Sequence, residues 1–423
     1  MEKTLVYKFG GASVKDADGV RNLLRIVQLQ EQQHLIVVVS AMGKTTNALE
    51  RVLQSWFKGD SDLALAHWEE IKLFHVKLTQ ELFNQNTPQS LKDSLEALYA
   101  RAERQLEGSP KEYHQDYDRL IATGELLSTR IIHAYLLQQG LACDWKDARE
   151  MLLTDDRYRQ ARILWEPTEE RLHQAFQESG IYITQGFIGA DGLGNTTTLG
   201  REGSDYSAAV IAYGLKAKEV VIWKDVPGIL NGDPKVFDQT ELLEWLSYDE
   251  AIELAYYGAT VIHPRTIQPL KKRGIRLHVK SFQQPEAPGT LIRSGSGRFP
   301  EIPCFIRKSS QALINLSTRD LAFMAEDHLS TIYQIMHQAM ANVNFSVHSA
   351  ISSSFCINQD EHILPALEEK LKAHFDLEIE RHLTLYTIRH PNADAVNSVL
   401  KNGEEVISQH TPTTYQVILR PFV

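Results

Sequence analysis

The chain has 423 residues and a formal net charge of −10, with 43% hydrophobic and 23% charged residues. This length exceeds one compact core and predicts two or more domains, while the negative charge argues against nucleic-acid or anionic-membrane surfaces. Three widely separated cysteines predict neither a disulfide framework nor a zinc site. The amino terminus has no apolar signal region, and the longest apolar run, Leu35 to Val39, is too short for a bilayer. We expect a soluble, cytoplasmic protein with reduced thiols.

Short apolar runs alternate with helical patterns through the first two-thirds of the chain. Runs of this kind, bounded by glycine, are typical of strands buried on both faces. They are Leu5–Phe9, Leu35–Val39, Ile181–Phe187, Val220–Trp223 and Leu277–Val279. Gly19–Gln33 reads as a helix, and the stretch between about Thr46 and Gln139 is mostly helical. The order predicts an α/β protein with a mainly parallel sheet sandwiched by helices.

A stretch rich in glycine, serine and proline begins at Ser294 and predicts a domain boundary. We therefore expect a first domain over 1–293, a linker over 294–305 and a smaller α+β region over 306–423. Short strands and helices alternate twice in that last region. The predicted strands are Ala312–Ser317, Phe345–Ala350, Ser353–Ile357, Leu383–Ile388 and Tyr415–Leu419, and the helices are His328–Ala341, Ile363–His374 and Ala393–Leu400. The second of the two units is short and lacks an obvious final helix and strand.

The first candidate site is Lys8-Phe9-Gly10-Gly11, directly after the first strand. Glycines let backbone N–H groups approach an anion closely. A following helix N-terminus adds partial positive charge, and the lysine ammonium adds a full one. The motif predicts a phosphate-binding turn; the alternative is a tight turn beside a half-exposed lysine.

A second glycine-rich turn, Thr196–Tyr206, precedes the helix-forming stretch Ser207–Tyr213. Arg201 and Ser204 would face an anion, because a guanidinium suits bidentate carboxylate or phosphate binding. Asp205 would either cap the helix or orient Lys8, and the presence of Lys8 favours the second role.

A third loop, Trp223–Ile229, continues to Lys235 and follows the strand at 220–222. Loops beyond strand ends bind ligands in open α/β sheets, and a solvated hairpin-like loop is the alternative. Gly124-Glu125, placed at a helix start, and Ser40–Asn47 are further candidates. The latter contains Gly-Lys-Thr, but Val38 stands where a P-loop needs glycine. Clustered positive charge without a nucleophile motif suits phosphoryl transfer.

Together these motifs resemble aspartate kinase, of the amino-acid kinase family with C-terminal ACT-like domains. The matching segments are Lys8–Val14, Thr184–Gly189, Thr197–Tyr206, Trp223–Ile229 and Gly258–Thr266, and the likeness runs from residue 3 to about 292. The resemblance implies the amino-acid kinase fold and an ATP-dependent phosphotransferase with a carboxyl acceptor. Its reaction would convert L-aspartate to 4-phospho-L-aspartate, the first step of lysine, threonine and methionine biosynthesis, with Mg²⁺ bridging the phosphates of ATP.

The resemblance also implies roles for individual residues. Lys8 would stabilise the transferring phosphoryl group and Asp205 would organise Lys8. Around aspartate, Arg201 and Ser204 would hold carboxylate oxygens and Glu125 would meet the amino group, and the same pocket would be lined by Thr46 and Phe187. The nucleotide side would comprise Lys8, Gly10, Gly11, Ser13, Lys224, Asp225, Leu230, Lys235 and Thr260. No side chain is assigned as a metal ligand.

The chain departs from the family pattern at several of these positions. Ala12 replaces the usual threonine, and Glu202 replaces a glycine beside Arg201, where it would either repel an anionic substrate or point to solvent. In the nucleotide subsite, tyrosine, arginine and lysine are common at the positions of Leu230, Lys235 and Thr260.

The tail resembles paired ACT domains, which implies a homodimer or higher homo-oligomer and suggests lysine or threonine as an effector. The loop Arg319–Asp327, however, lacks the glycine of an effector-binding turn. Two alternatives to aspartate kinase are another small-acid kinase of the same fold, such as one acting on glutamate, and a non-catalytic amino-acid sensor.

Overall fold

The computed structural model describes residues 4–29, 34–84, 86–259, 262–319 and 323–422. The chain divides into two compact units. The first comprises residues 1–229, 242–252 and 262–299, and the second comprises residues 230–241, 253–261 and 300–423.

The first unit is built on a nine-stranded sheet whose core is parallel. Its strands are β1 (Leu5–Phe9), β2 (Leu35–Val39), β3 (Asp144–Lys146), β4 (Ile181–Gln185), β7 (Glu219–Lys224), β8 (Trp245–Ser247), β9 (Arg276–Ser281), β10 (Thr290–Arg293) and β11 (Arg298–Phe299). They lie in the order β11-β8-β10-β9-β7-β1-β2-β4-β3. The neighbours from β3 to β9 pair in parallel. A separate hairpin joins β5 (Ile188–Ala190) and β6 (Thr196–Thr198).

Helices accompany this sheet along the chain, and those between residues 45 and 138 form the long helical block that the sequence predicted. The helices are α1 (Ala17–Gln28), α2 (Thr45–Phe57), α3 (Ser61–Phe83), α4 (Gln89–Glu107), α5 (Tyr113–Gln138), α6 (Ala148–Met151), α7 (Trp165–Ala175), α8 (Gly203–Gly214), α9 (Tyr248–Tyr257) and α10 (Pro264–Arg273). Every residue of β1 and β2 is buried, as expected for strands covered on both faces. Leu5, Tyr7 and Phe9 pack in one core cluster with side chains of α1 to α5. The predicted α/β architecture is confirmed.

The second unit contains a six-stranded antiparallel sheet in the order β13-β14-β12-β15-β17-β16. Its elements are β12 (Cys304–Ser317), α11 (Glu326–Gln338), β13 (Val343–His348), β14 (Ser352–Asn358), α12 (Leu364–Lys372), β15 (Asp376–Arg389), α13 (Ala393–Leu400), β16 (Gly403–Thr411) and β17 (Thr414–Pro421). The sequence predicted the three helices and most strands of this unit, but missed β16, whose residues are mainly polar.

Two long strands, β12 and β15, carry both halves of this sheet. The pairing of β12 with β15 is interrupted by a bulge between Lys308 and Gln311. Beyond the bulge, the strands pack with α11 and α12 around one core that includes Ile314 and Leu367. Before it, Cys304 to Lys308 pairs with the end of β15, next to β17. The second half therefore takes its fourth strand from the start of β12.

The helix that follows the Lys8 turn is a short 3₁₀ helix, Gly11–Val14, and α1 begins after it at Ala17 with the Asp16 side chain as its cap. One local prediction in the first unit was wrong. Gly124-Glu125 lies in the middle of α5 rather than at a helix start. A Cβ at Gly124 would lie only 3.0 Å from the Ala41 Cβ, so this glycine permits close helix packing instead of marking a terminus.

Candidate active site

A cavity of about 990 Å³ opens in the first unit at the carboxyl ends of its central parallel strands. This edge is where open α/β sheets bind ligands. The cavity brings together eight of the predicted site residues: Lys8, Thr46, Glu125, Phe187, Arg201, Ser204, Asp205 and Lys224. They come from strands, helices and turns far apart in sequence, so the fold collects them at one place.

An ion-pair triad lies in this cavity. The Lys8 Nζ is 2.6 Å from the Asp205 Oδ1, and the Lys224 Nζ is 3.5 Å from the Asp205 Oδ2. Burial alone would raise the pKa of Asp205, but the two ammonium groups hold that pKa below its usual value. Asp205 is therefore ionised, and one carboxylate holds two lysines on neighbouring strands β1 and β7. Two positive charges against one negative charge leave this corner suited to an anion.

Gly10 leaves room for this arrangement, because a Cβ at that position would lie 3.3 Å from the Lys8 Nζ. Gly11 serves the backbone instead: a Cβ there would lie 2.7 Å from the Ala41 carbonyl oxygen. Gly11 thus allows the turn after β1 to approach the turn after β2.

Glu125 is the second buried carboxylate of the cavity, and its surroundings differ from those of Asp205. It is 2% exposed, and its Oε1 accepts a hydrogen bond of 3.2 Å from the Ala41 N–H. Its Oε2 has no hydrogen-bond partner among the described residues. Burial raises the pKa of Glu125 to about 8, against the lowering effect of the Ala41 hydrogen bond. A cation reaching this oxygen would satisfy it and ionise the group.

The start of α8 forms another wall. Glu202 precedes the helix with a left-handed φ of 52° and makes no side-chain cap, while Ser204 and Asp205 lie in the first turn. The Glu202 Oε2 instead accepts a hydrogen bond of 3.0 Å from the His263 N–H. Glu202 is half-buried and lines the cavity, with this oxygen turned to the backbone before α10. Arg201 is exposed at the rim, where its guanidinium is available to a ligand.

Asp118 was not found by sequence reasoning. It is hydrogen-bonded to two residues that line the cavity, Thr198 and Arg159. It is fully buried in α5. Its carboxylate accepts hydrogen bonds from the Thr198 N–H and hydroxyl, both at 2.7 Å, and from the Arg159 N–H at 3.0 Å. Burial raises the pKa of Asp118 to about 6 in spite of these hydrogen bonds. Arg159 adopts a left-handed φ of 68° and stacks its guanidinium 4.4 Å from the Tyr117 ring centroid.

The other predicted site residues that the structure describes do not line this cavity. Ser13 is buried and Asp225 is exposed in the first unit, whereas Leu230 and Lys235 belong to the second unit. Thr260 lies outside the described residues.

The acidic side chains of the protein decide whether it could hold Mg²⁺ by itself. Within the described ranges, no group of three or more histidine, cysteine, aspartate or glutamate side chains could hold a metal ion. Both oxygens of Asp205 face lysines. The positive charge around Asp205 therefore suits phosphate oxygens better than a metal cation.

The amino acid kinase family model matches residues 3–281, and the chain belongs to that family. Among curated relatives, Lysine-sensitive aspartokinase 3 of Escherichia coli is 30% identical over 400 residues, covering 92% of this chain and 87% of the relative.

Two solved structures of an aspartokinase are also similar to this chain over nearly its whole length. E. coli aspartokinase III with lysine and aspartate (T-state) superposes with a TM-score of 0.81 at 27% identity, covering 99% of this chain and 96% of that one. The same enzyme with aspartate and ADP (R-state) has a TM-score of 0.81 at 26% identity, with the same coverage. No described helix of the present chain is both long and apolar enough to span a membrane.

Proposed function

We propose that this protein is an aspartate kinase, which transfers the γ-phosphoryl group of ATP to the β-carboxylate of L-aspartate. The observation that carries the proposal is the cavity that places the Lys8–Asp205–Lys224 triad in one site with Glu125 and Arg201. The aspartokinase relatives, similar over nearly the whole chain, support the same substrate.

One group of side chains in the cavity would bind the amino-acid substrate. An acidic amino acid needs a guanidinium for a carboxylate and a carboxylate for its ammonium, which are the roles proposed for Arg201 and Glu125. Ser204 would add a hydroxyl, and Thr46 and Phe187 would line the same subsite. The side-chain carboxylate of aspartate is already a nucleophile at neutral pH and needs no strong general base. Alignment and electrostatic stabilisation would supply most of the rate enhancement.

The lysine triad would receive the phosphates. Lys8, held by Asp205, would neutralise charge on the transferring phosphoryl group, and Lys224 would contact the nucleotide. Gly10, Gly11 and Ser13 would shape the turn beside the phosphates, with Asp225, Leu230, Lys235 and Thr260 as the further nucleotide contacts. Mg²⁺ would arrive with ATP and add charge neutralisation between its phosphates.

The second unit supports a regulatory proposal. We assign residues 1–293 to catalysis, 294–305 to a linker and 306–423 to a tandem ACT-like region of a cytoplasmic homodimer or higher oligomer. Lysine is the proposed effector ahead of threonine, because the relative of similar length is a lysine-sensitive aspartokinase. A flat activity curve against lysine up to millimolar concentrations would contradict that part.

A hydroxylamine-trapping assay tests the activity itself. Acyl phosphate formed from ATP is converted to hydroxamate, with aspartate, with glutamate and with no amino acid. We expect hydroxamate with aspartate alone. A product with glutamate would instead indicate a related small-acid kinase, and no product with either would favour a non-catalytic sensor.

A further inference from the structure

A second cavity of the first unit, separate from the candidate active site, is lined by arginines. It measures about 520 Å³ and is formed by Arg101, Arg119, Asp147, Arg149, Glu150, Arg171, Ala190, Gly194, Asn195 and Thr196. The four guanidinium groups come from four helices, α4, α5, α6 and α7. Among the described residues, two carboxylates line the same space, so this lining carries a positive excess in a chain of net charge −10.

The pairing of these arginines is incomplete. Arg149 makes a bidentate contact with Asp147, at 2.9 and 2.6 Å. Arg171 donates to the Glu150 carbonyl, and Arg119 lies 3.8 Å from a carboxylate outside the lining. The Arg101 side chain is half-buried, and its guanidinium makes no hydrogen bond or ion pair with any described residue.

Arg101 therefore carries a cost that a ligand would remove. A partly desolvated cation without a partner is unfavourable, and the nearby guanidiniums of Arg149 and Arg119 add repulsion. The pKa of Arg101 is lowered mainly by burial and next by this repulsion, while the nearby Asp147 charge acts in the opposite direction. A planar guanidinium binds phosphate and carboxylate oxygens with paired hydrogen bonds, so a multivalent oxyanion would both fill the cavity and relieve the repulsion.

We propose that this arginine-lined cavity is a binding site for a small oxyanion with two or more negative charges, a phosphate compound or a polycarboxylate. Asn195 and Thr196 add neutral polar groups at its edge. Strand β6 connects the two cavities, because Thr196 lines this one and Thr198 lines the candidate active site. The Arg149 Nη1 lies 3.5 Å from the Thr196 Oγ1, and Thr198, two residues on, is held by Asp118 in the active-site wall. The binding proposal does not depend on the proposed kinase activity.

Calorimetric titration of the full chain at constant ionic strength tests the site, with inorganic phosphate and citrate as probes and chloride as the monovalent comparison. We expect saturable binding of at least one probe, and a tenfold or greater loss of affinity in Arg101→Gln. Arg104→Gln is the matched control, because Arg104 is an exposed arginine on the same helix and lines no part of this cavity. Tighter binding of phosphate would identify a phosphate compound as the ligand class, and tighter binding of citrate a polycarboxylate.

The active-site cavity also contains cations, and Lys8→Ala separates the two sites. Binding in the arginine cavity survives this change. Equal affinity in the Arg101 and Arg104 variants, loss of binding in Lys8→Ala, or binding of neither probe would overturn the proposal. Should Arg101→Gln not fold, Arg171→Gln carries the same expectation, because Arg171 is exposed and its loss leaves no buried group unpaired.

Discussion

Replacement of Glu125 by glutamine should remove a pH-dependent decrease in the free energy of unfolding of the wild type. The folded-state pKa of Glu125 is raised from 4.5 to about 8 by burial. Between these values the unfolded chain has lost a proton that the folded protein still holds. The free energy of unfolding therefore falls as pH rises, by about 1.4 kcal/mol per pH unit. From pH 5.5 to 7.5 the wild type should lose about 2.7 kcal/mol relative to Glu125→Gln, which has no proton to release.

Urea unfolding followed by tryptophan fluorescence measures this difference, since all six tryptophans lie in the first unit. Glu107→Gln, which removes an exposed glutamate of α4, controls for the loss of one charge. Other titrating groups are common to both proteins and cancel in the comparison. A free-energy difference between wild type and Glu125→Gln that stays constant from pH 5.5 to 7.5 would refute the reasoning.

The same carboxyl group should control the affinity for aspartate. If the substrate ammonium binds only the ionised form, KM for aspartate should fall by about tenfold per pH unit between pH 6 and 7.5. In Glu125→Gln the KM should be high and nearly independent of pH, with kcat less affected. A wild-type KM that does not change over this range would remove Glu125 from the ammonium subsite.

The remaining predictions concern three other buried groups. Lys8→Ala should lower kcat by orders of magnitude while aspartate still binds in calorimetry; near-normal turnover would contradict its role at the phosphoryl group. Asp118→Asn should destabilise the first unit by roughly 2–4 kcal/mol in urea unfolding, because an amide NH₂ would face N–H and O–H donors; a loss below about 0.5 kcal/mol would count against this account. His75 is fully buried, and burial lowers its pKa to about 4. Below pH 6.5 the unfolded chain takes up a proton on the His75 ring, which the folded protein does not. The free energy of unfolding of the wild type should therefore fall relative to His75→Leu by about 3 kcal/mol between pH 6.5 and 4. Unfolding free energies of the two proteins that change in parallel with pH would exclude this expectation.

Local sequence signals predicted the strands and the residues they deliver. Lys8 follows a five-residue apolar run, and Asp205 follows a glycine-rich turn into a helix. Each signal lies within a few residues of its side chain, and the resemblance to a family connected the two. The fold class follows from such signals, whereas the grouping of the site residues in one cavity was expected only from the resemblance.

Groups whose partners are distant in sequence could not be found this way. Asp118 lies 80 residues from Thr198 and 41 from Arg159, its hydrogen-bonding partners, and in the sequence it looks like any acidic residue near a helix start. Gly124 was misplaced for a related reason. A glycine near a helical pattern usually marks an end, and only the approach of α5 to the turn after β2 shows that it serves packing. The crossing of β12 and β15 between two half-sheets likewise depends on pairing that no local pattern specifies.

The two buried carboxylates of the candidate active site show how one cavity can treat two charges differently. Asp205 meets two ammonium groups, which hold its pKa below the usual value, so it is ionised at neutral pH and can hold Lys8 in place. Glu125 accepts a hydrogen bond from the Ala41 N–H and forms no ion pair with a described residue, and burial keeps its proton bound near neutral pH. Carboxylates whose environments separate their pKa values in this way take different tasks. Asp205 is a permanent anchor for cations of the protein, whereas Glu125 becomes charged only when a cation arrives. An amino-acid ammonium is the cation that the proposed substrate would bring, and a ligand lacking it would leave Glu125 neutral and its Oε2 unsatisfied.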